Sequence, residues 1–210
     1  VWGLYNAEVY SDWLTQHVRR QGLGDLTTDF KSIYAYEGPT GKKDYRLDNW
    51  FGTYNRSGTP VDILVKVMGN VSDTTSLTTS YNGGPYLGTS MIRIPEMYYI
   101  MAECDPDPQS SAEILDMVRF KRGIASSDAT DGGKGYDEPD TREGFDSGHT
   151  RRINEVMREY LKEYYGEGQL FYFYKRHNYV TFANCSLVDV RTKYQFPLPE
   201  NEDMFGITGK

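Results

Sequence analysis

Four aromatic residues, Trp50, Tyr54, Tyr81 and Tyr86, stand close in sequence to Asp48, Asn49, Asn55 and Asn82. A pyranose presents an apolar C–H face and a rim of hydroxyls. It is held by flat rings that stack on the face and by amides or acids that bond the rim. The eight residues lie between Leu26 and Gly88, where Gly, Asn, Asp, Ser and Thr recur at short intervals and no long helical period is found. That pattern predicts loops with at most a small hairpin, Val61 to Met68 being β-branched enough for one strand. Long irregular segments that carry aromatics carry function more often than disorder. The chemistry expected of these residues is binding. Trp50 also has a second reading, as a core anchor beneath the loops.

Residues for bond-breaking chemistry are not marked out in the same way. The chain has no Gly-rich phosphate loop followed by Lys-Ser/Thr, no G-x-S-x-G elbow and no His-Glu-x-x-His. Glu155, Glu159 and Glu163 recur every four residues and are expected to form a solvated helix face rather than an acid–base pair. No catalytic residue, metal or cofactor is assigned. The polar run from Ala125 to Gly148 is expected to be an exposed loop. An EF-hand register on Gly132 puts Ser127, Ala129 and Asp131 at the early ligand positions and Glu138 at the last, so an essential carboxylate is missing. Cys104 and Cys185 have no second ligand at metal spacing and are expected to be free, buried thiols. His177, at the end of an aromatic face, is expected to pack or cap.

Composition narrows the partners. With 30 acidic against 23 basic residues, a formal charge of −7 argues against nucleic acid and anionic membrane surfaces. Tyr is abundant, with 18 in 210 residues, and combines apolar area with a polar tip suited to wet or sugar-facing surfaces. No run of 18 apolar residues is present, and the chain opens at Val1 without a leader or a lipidation cysteine, which suggests a mature or truncated form.

The elements that position the candidate residues are helical. Ile153, Val156, Met157, Tyr160, Leu161 and Tyr164 form one apolar stripe, with Thr150 as N-cap and Gly166 and Gly168 ending the helix. A second helix from Gln169 puts Leu170, Phe173, Tyr174 and His177 on one face, and Leu170 is expected to touch Phe173. Upstream, Pro95 suits the first turn of a helix whose buried stripe is Met97, Ile100, Met101 and Cys104, stopped by Asp105-Pro106-Asp107-Pro108. Ser110 with Glu113 reads as the capping box of another helix, burying Ile114, Leu115 and Val118, with Met117 as a further candidate, and ending at Gly123. A further helix is expected from about Ser11 to Gln21, and an extended piece over Tyr179 to Tyr194. The expected class is mainly α, in one domain.

Three segments carry a family resemblance. Glu159, Glu163, Glu167-Gly168, a run of aromatics and Lys175-Arg176 resemble the C-terminal signature of the SusD/RagB family, the surface glycan-binding lipoproteins of Bacteroidetes. Ile92 to Cys104, IRIPEMYYIMAEC, is similar to that family's "IRLAEMYLIAAEA" helix, and Phe196 to Glu202, FPLPENE, to its closing "PIPQSE" run. Asp44 to Phe51 resembles its "D-x-R-x-x-x-W/F" run. One departure stands out: where the family usually carries an Arg and, three residues on, an Asp, this chain has Leu170 and Phe173.

The resemblance implies tetratricopeptide-like helix pairs and a non-catalytic subunit that binds an oligosaccharide and delivers it to a SusC-like TonB-dependent transporter. It implies a surface position on the outer membrane, through a lipid anchor this chain does not contain, and a further N-terminal half. Apolar helix surface around Trp2, Tyr5 and the outer rows of Ile92 to Gly123 is then expected to be bare. Transporter docking is expected on the helical face, at Arg119, Lys121 and Arg122. The alternative is a helical interaction module without a ligand of its own.

Overall fold

The computed structural model describes residues 3–4, 33–35, 43–56, 59–64, 89–90, 92–124, 133–143, 145–165, 167–181 and 187–195; of 3–4, 52–56, 59–64 and 89–90 the backbone alone is described. The chain divides into two compact units, Val1–Glu167 and Gly168–Lys210.

The structure is mainly helical, as the periodicities predict. In the first unit the order is β1 (Gly3–Leu4), α1 (Tyr45–Trp50), β2 (Phe51–Arg56), β3 (Thr59–Leu64), β4 (Thr89–Ser90), α2 (Ile94–Cys104), α3 (Pro108–Lys121) and α4 (Arg151–Glu163). Strands β2 and β3 form an antiparallel hairpin in register from Phe51↔Leu64 to Arg56↔Thr59, and β1 pairs with β4. A small hairpin agrees with the sequence expectation, and its second strand overlaps the strand expected over Val61 to Met68 at Val61 to Leu64. Helix α1 was not foreseen: six residues are too few to show a period, and Asp44 starts it by accepting from the Arg46 backbone N–H at 3.0 Å.

The Asp105 to Pro108 run ends one helix and begins the next. Asp105 is extended and caps α2 through its own N–H to the Met101 carbonyl at 2.9 Å. Asp107, not Ser110, is the N-cap of α3. Its carboxylate accepts from the Ser110 N–H at 2.9 Å, with Pro108 just inside the helix, while the Ser110 hydroxyl turns back to Asp105 at 2.7 Å. The capping box therefore sits one turn too late in the sequence reading. Across the pair, the Ser111 hydroxyl donates to the Ala102 carbonyl at 2.6 Å. Two small residues at that crossing bring the helices into contact.

Helix α2 buries the face opposite to the one expected. Tyr99 and Ala102 are inside, whereas Met97, Ile100, Met101 and Cys104 are exposed. Both sides of α2 are apolar enough to be a core face, so the spacing alone could not choose between them. Helix α3 buries Ile114, Leu115 and Val118 as expected and turns Met117 outward.

Helix α4 begins at the Thr150 cap, whose hydroxyl accepts from the Ile153 N–H at 3.4 Å. Its first free N–H groups, on Arg151 and Arg152, donate to the Glu138 and Tyr136 carbonyls at 3.0 and 2.9 Å. The described part of the 125–148 run is irregular and mostly exposed, as expected, but it is anchored at its inner side. Tyr136 and Asp140 are buried, and Asn154 binds both Asp140 and the Asp146 carbonyl. Beyond α4, Tyr99, Tyr160 and Tyr164 form a ring cluster with centroids 5.2 to 6.4 Å apart.

In the second unit, α5 (Gln169–Arg176) starts from Gly168 at φ +89° and buries Phe173 and Tyr174. His177 is the C-cap and packs 4.5 Å from the Phe173 ring, the packing role expected of it. Leu170 is half-buried one turn before Phe173. Tyr179, Val190 and Tyr194 complete a small core, in which the Tyr194 hydroxyl donates to the Tyr179 carbonyl at 2.9 Å. The described end of this unit is a turn and a 3-10 stretch, Arg191–Lys193, rather than the extended piece expected. Among the described residues no helix is long and apolar enough to cross a membrane. The helix expected from Ser11, Cys185 and the FPLPENE run lie outside the described residues.

Candidate functional site

The eight candidate residues fall on different parts of the structure. Asp48 and Asn49 are exposed on α1, and Trp50, half-buried, closes that helix. Tyr54 and Asn55 are on β2, opposite Val61 and Pro60 of β3. Tyr81, Asn82 and Tyr86 lie outside the described residues, as do Ser127, Ala129 and Asp131 of the calcium register. Five of the eight thus belong to one continuous helix-to-hairpin segment.

Helix α1 is held in place by backbone geometry at the end of α3. The Tyr45 N–H donates to the Arg122 carbonyl at 2.8 Å, joining the start of one helix to the end of another. Gly123, at φ +90°, makes the turn, and a Cβ there would lie 2.7 Å from the Lys43 carbonyl oxygen and 2.8 Å from the Tyr45 ring. The guanidinium of Arg122 then sits 5.8 Å from the centroid of the Trp50 ring.

Beneath α1 lies the largest departure from the sequence reading. Glu155, Glu159 and Glu163 are not a solvated face; they are buried, the last two completely. Arg46, itself 1% exposed, donates from one edge to Asp44 and from Nη1 to Glu159 at 3.0 Å and Glu163 at 3.4 Å. Arg119 reaches Glu155 at 2.6 Å and Glu159 at 3.0 Å. Arg122 makes two bonds to Glu163, at 3.0 and 2.8 Å, and Arg93 joins Glu163 to Glu167 at 3.0 Å each. Arg142 links Asp140 to Glu155. The partners of these acids are up to 117 residues away, so a local charge pattern could not have revealed them.

The electrostatics follow from burial set against pairing. Burial acts to raise the Glu159 carboxyl, but Lys162, Arg46 and Arg119 together outweigh it and hold the group well below the usual carboxylate range. Glu155 is lowered in the same way, burial being overcome by Arg119 and Arg142. Hydrogen bonds from Arg142, against some burial, bring Asp140 down to about 2. Burial lowers Lys162 despite Glu159. Acids held ionised and paired in this way are poor proton donors, so the cluster positions α1 rather than performing acid–base chemistry.

The structure also revises the docking expectation. Arg119 is buried and Arg122 is tied to Glu163, so neither belongs to a free charged face; Lys121 is exposed. What α2 and α3 expose instead is apolar: Ile94 at 73%, Phe120 at 61%, and Met97, Met101 and Met117 about half. Between these helices a groove of about 430 Å³ is lined by Ile94, Tyr98, Met117, Phe120, Lys121 and Arg122, among others. Bare apolar surface on the outer rows of Ile92 to Gly123 agrees with the sequence expectation, although Met97 and Met101, expected in the core, are part of it.

No protein-family model, curated protein or solved structure matches the chain.

Proposed function

We propose that this protein is a non-catalytic carbohydrate-binding subunit of an outer-membrane glycan uptake system, of the SusD/RagB kind, which delivers oligosaccharide to a SusC-like TonB-dependent transporter. One observation supports the reading above the others. Residues picked out by three separate motif likenesses, Asp44 and Arg46, Arg93, and Glu159, Glu163 and Glu167, meet in a single buried ion cluster. A chance likeness in each segment gives no reason for the charged positions of all three to pair with one another. The cluster fixes α1 and the start of the hairpin, which carry Asp48, Asn49, Trp50, Tyr54 and Asn55, so the sugar-facing residues stand on a rigid base. In this reading the protein is held at the cell surface by a lipid anchor and its helices include tetratricopeptide-like pairs.

Screening the chain on a glycan array, followed by calorimetry on each hit, tests the proposal. At least one oligosaccharide is expected to bind, with Trp50→Ala weakening it about tenfold, on the scale of one lost aromatic contact. A folded chain that binds no glycan overturns it. For the transporter, Lys121→Glu is the informative charge reversal, since Arg119 and Arg122 are paired with buried carboxylates; it is expected to weaken co-purification.

A second reading is a helical interaction module without its own ligand. The exposed side chains of Ile94, Met97, Met101, Met117 and Phe120 favour it, because so much apolar area on one helix pair exceeds what scattered surface residues contribute. A glycan-negative chain that captures a protein partner through these residues would establish it.

A further inference from the structure

The groove between α2 and α3 is separate from the eight residues chosen for glycan binding, and it sets aromatic side chains beside two cations. We propose that it is a subsite for an acidic sugar unit, a uronate, whose apolar ring face rests on Tyr98 and Phe120 and whose carboxylate is met by Lys121 beside Arg122. The inference rests on the glycan-binding reading and gives it a ligand class.

The size is suitable. At about 430 Å³ the groove lies within the range of small-molecule sites and is large enough for a sugar ring or two. Its walls are apolar and partly aromatic, as a pyranose face requires, and no carboxylate lines it among the described residues. In a chain with 30 acidic against 23 basic residues, both charged side chains at the groove are cations. Arg122 is compensated by Glu163, which also fixes the plane of its guanidinium. The uncompensated charge is that of Lys121, which is exposed and makes no ion pair with another described residue. A neutral sugar can only accept hydrogen bonds from that cation, whereas a carboxylate on the ring gains charge attraction as well. Arg122 also reaches the Trp50 ring, so the groove and the α1 candidates adjoin and one oligosaccharide could span both.

Calorimetry with tetragalacturonate and with a neutral galactan tetramer distinguishes the cases. Lys121→Met and Phe120→Ala alter exposed side chains and leave the core intact. Tetragalacturonate is expected to bind more weakly as salt is raised, and each variant is expected to reduce its affinity about tenfold, an effect absent for any neutral glycan bound at the α1 candidates. If tetragalacturonate binds equally well to both variants, or only neutral glycans bind, the groove proposal is overturned while the glycan reading stands. Failure of every glycan to bind overturns both. A concentration-dependent dimer that Phe120→Ala abolishes assigns the groove to a second copy of the chain and also overturns the proposal.

Discussion

Glu159 has no exposed surface and accepts from both Arg46 and Arg119, with Lys162 at 3.4 Å. Removing its charge leaves two guanidinium groups buried with part of their compensation gone. Glu159→Gln is therefore expected to destabilise the protein by ~3 kcal/mol or more, measured by urea unfolding. Glu143→Gln, at an exposed position, should be close to neutral and serves as the control. An equal effect of the two would mean that the cluster contributes nothing specific. At this scale the sequence was least informative. The helical position of Glu159 was readable, but its burial depends on Arg46, 113 residues away, and a carboxylate every fourth residue looks the same on a wet face as on a paired one.

Gly123 ends α3 at φ +90° and admits Lys43 and Tyr45 where a side chain would be. Gly168 begins α5 at a similar φ of +89°, yet nothing lies within 4 Å of the place its Cβ would take. The backbone cost of an L residue is common to both sites, but the collision is confined to Gly123. Gly123→Ala should cost ~2 kcal/mol or more and Gly168→Ala ~1 kcal/mol, read as thermal midpoints, and the reverse order would refute the α1–α3 junction. In α5, Leu170→Arg is expected to lose ~2 kcal/mol by placing an unpaired charge at a half-buried site. Adding Phe173→Asp should recover part of that loss; a double-mutant cycle with no coupling would show that the two positions do not interact. Elements with caps and long periods were legible from sequence: Thr150, the Asp105 to Pro108 stop and the apolar row of α3; of the α4 row Val156, Tyr160 and Tyr164 are buried, but Ile153, Met157 and Leu161 are only half-buried. Short or two-sided elements were not. Helix α1 is shorter than two turns, and α2 has apolar residues on both faces, so local spacing could not say which one meets α4.

Across the whole molecule, two kinds of electrostatics act together on acidification. The cluster contributes through carboxyls whose native pKa is depressed, Glu159, Glu155 and Asp140. For such groups the stabilisation is complete above the unfolded pKa and is lost as pH falls through the folded one, which for Asp140 lies at about 2. Lys162 has the same slope by the opposite route: its folded pKa is depressed, so the unfolded chain binds more protons below the ordinary lysine value and stability rises with pH through that window. Overall charge adds a separate term. The chain carries −7 near neutrality, but once its 30 acids protonate, 23 Lys and Arg and three His are left to repel one another. Salt separates these contributions, because repulsion among exposed cations is screened at about 1 M, where the Debye length is about 3 Å, and protonation of buried partners is screened far less. The urea midpoint is therefore expected to hold from neutral pH to about pH 5 and to fall below it, with about 1 M salt restoring only part of the loss and Glu159→Gln flattening the remainder. Full recovery in salt would attribute acid sensitivity to net charge alone and deny the buried cluster a share in it.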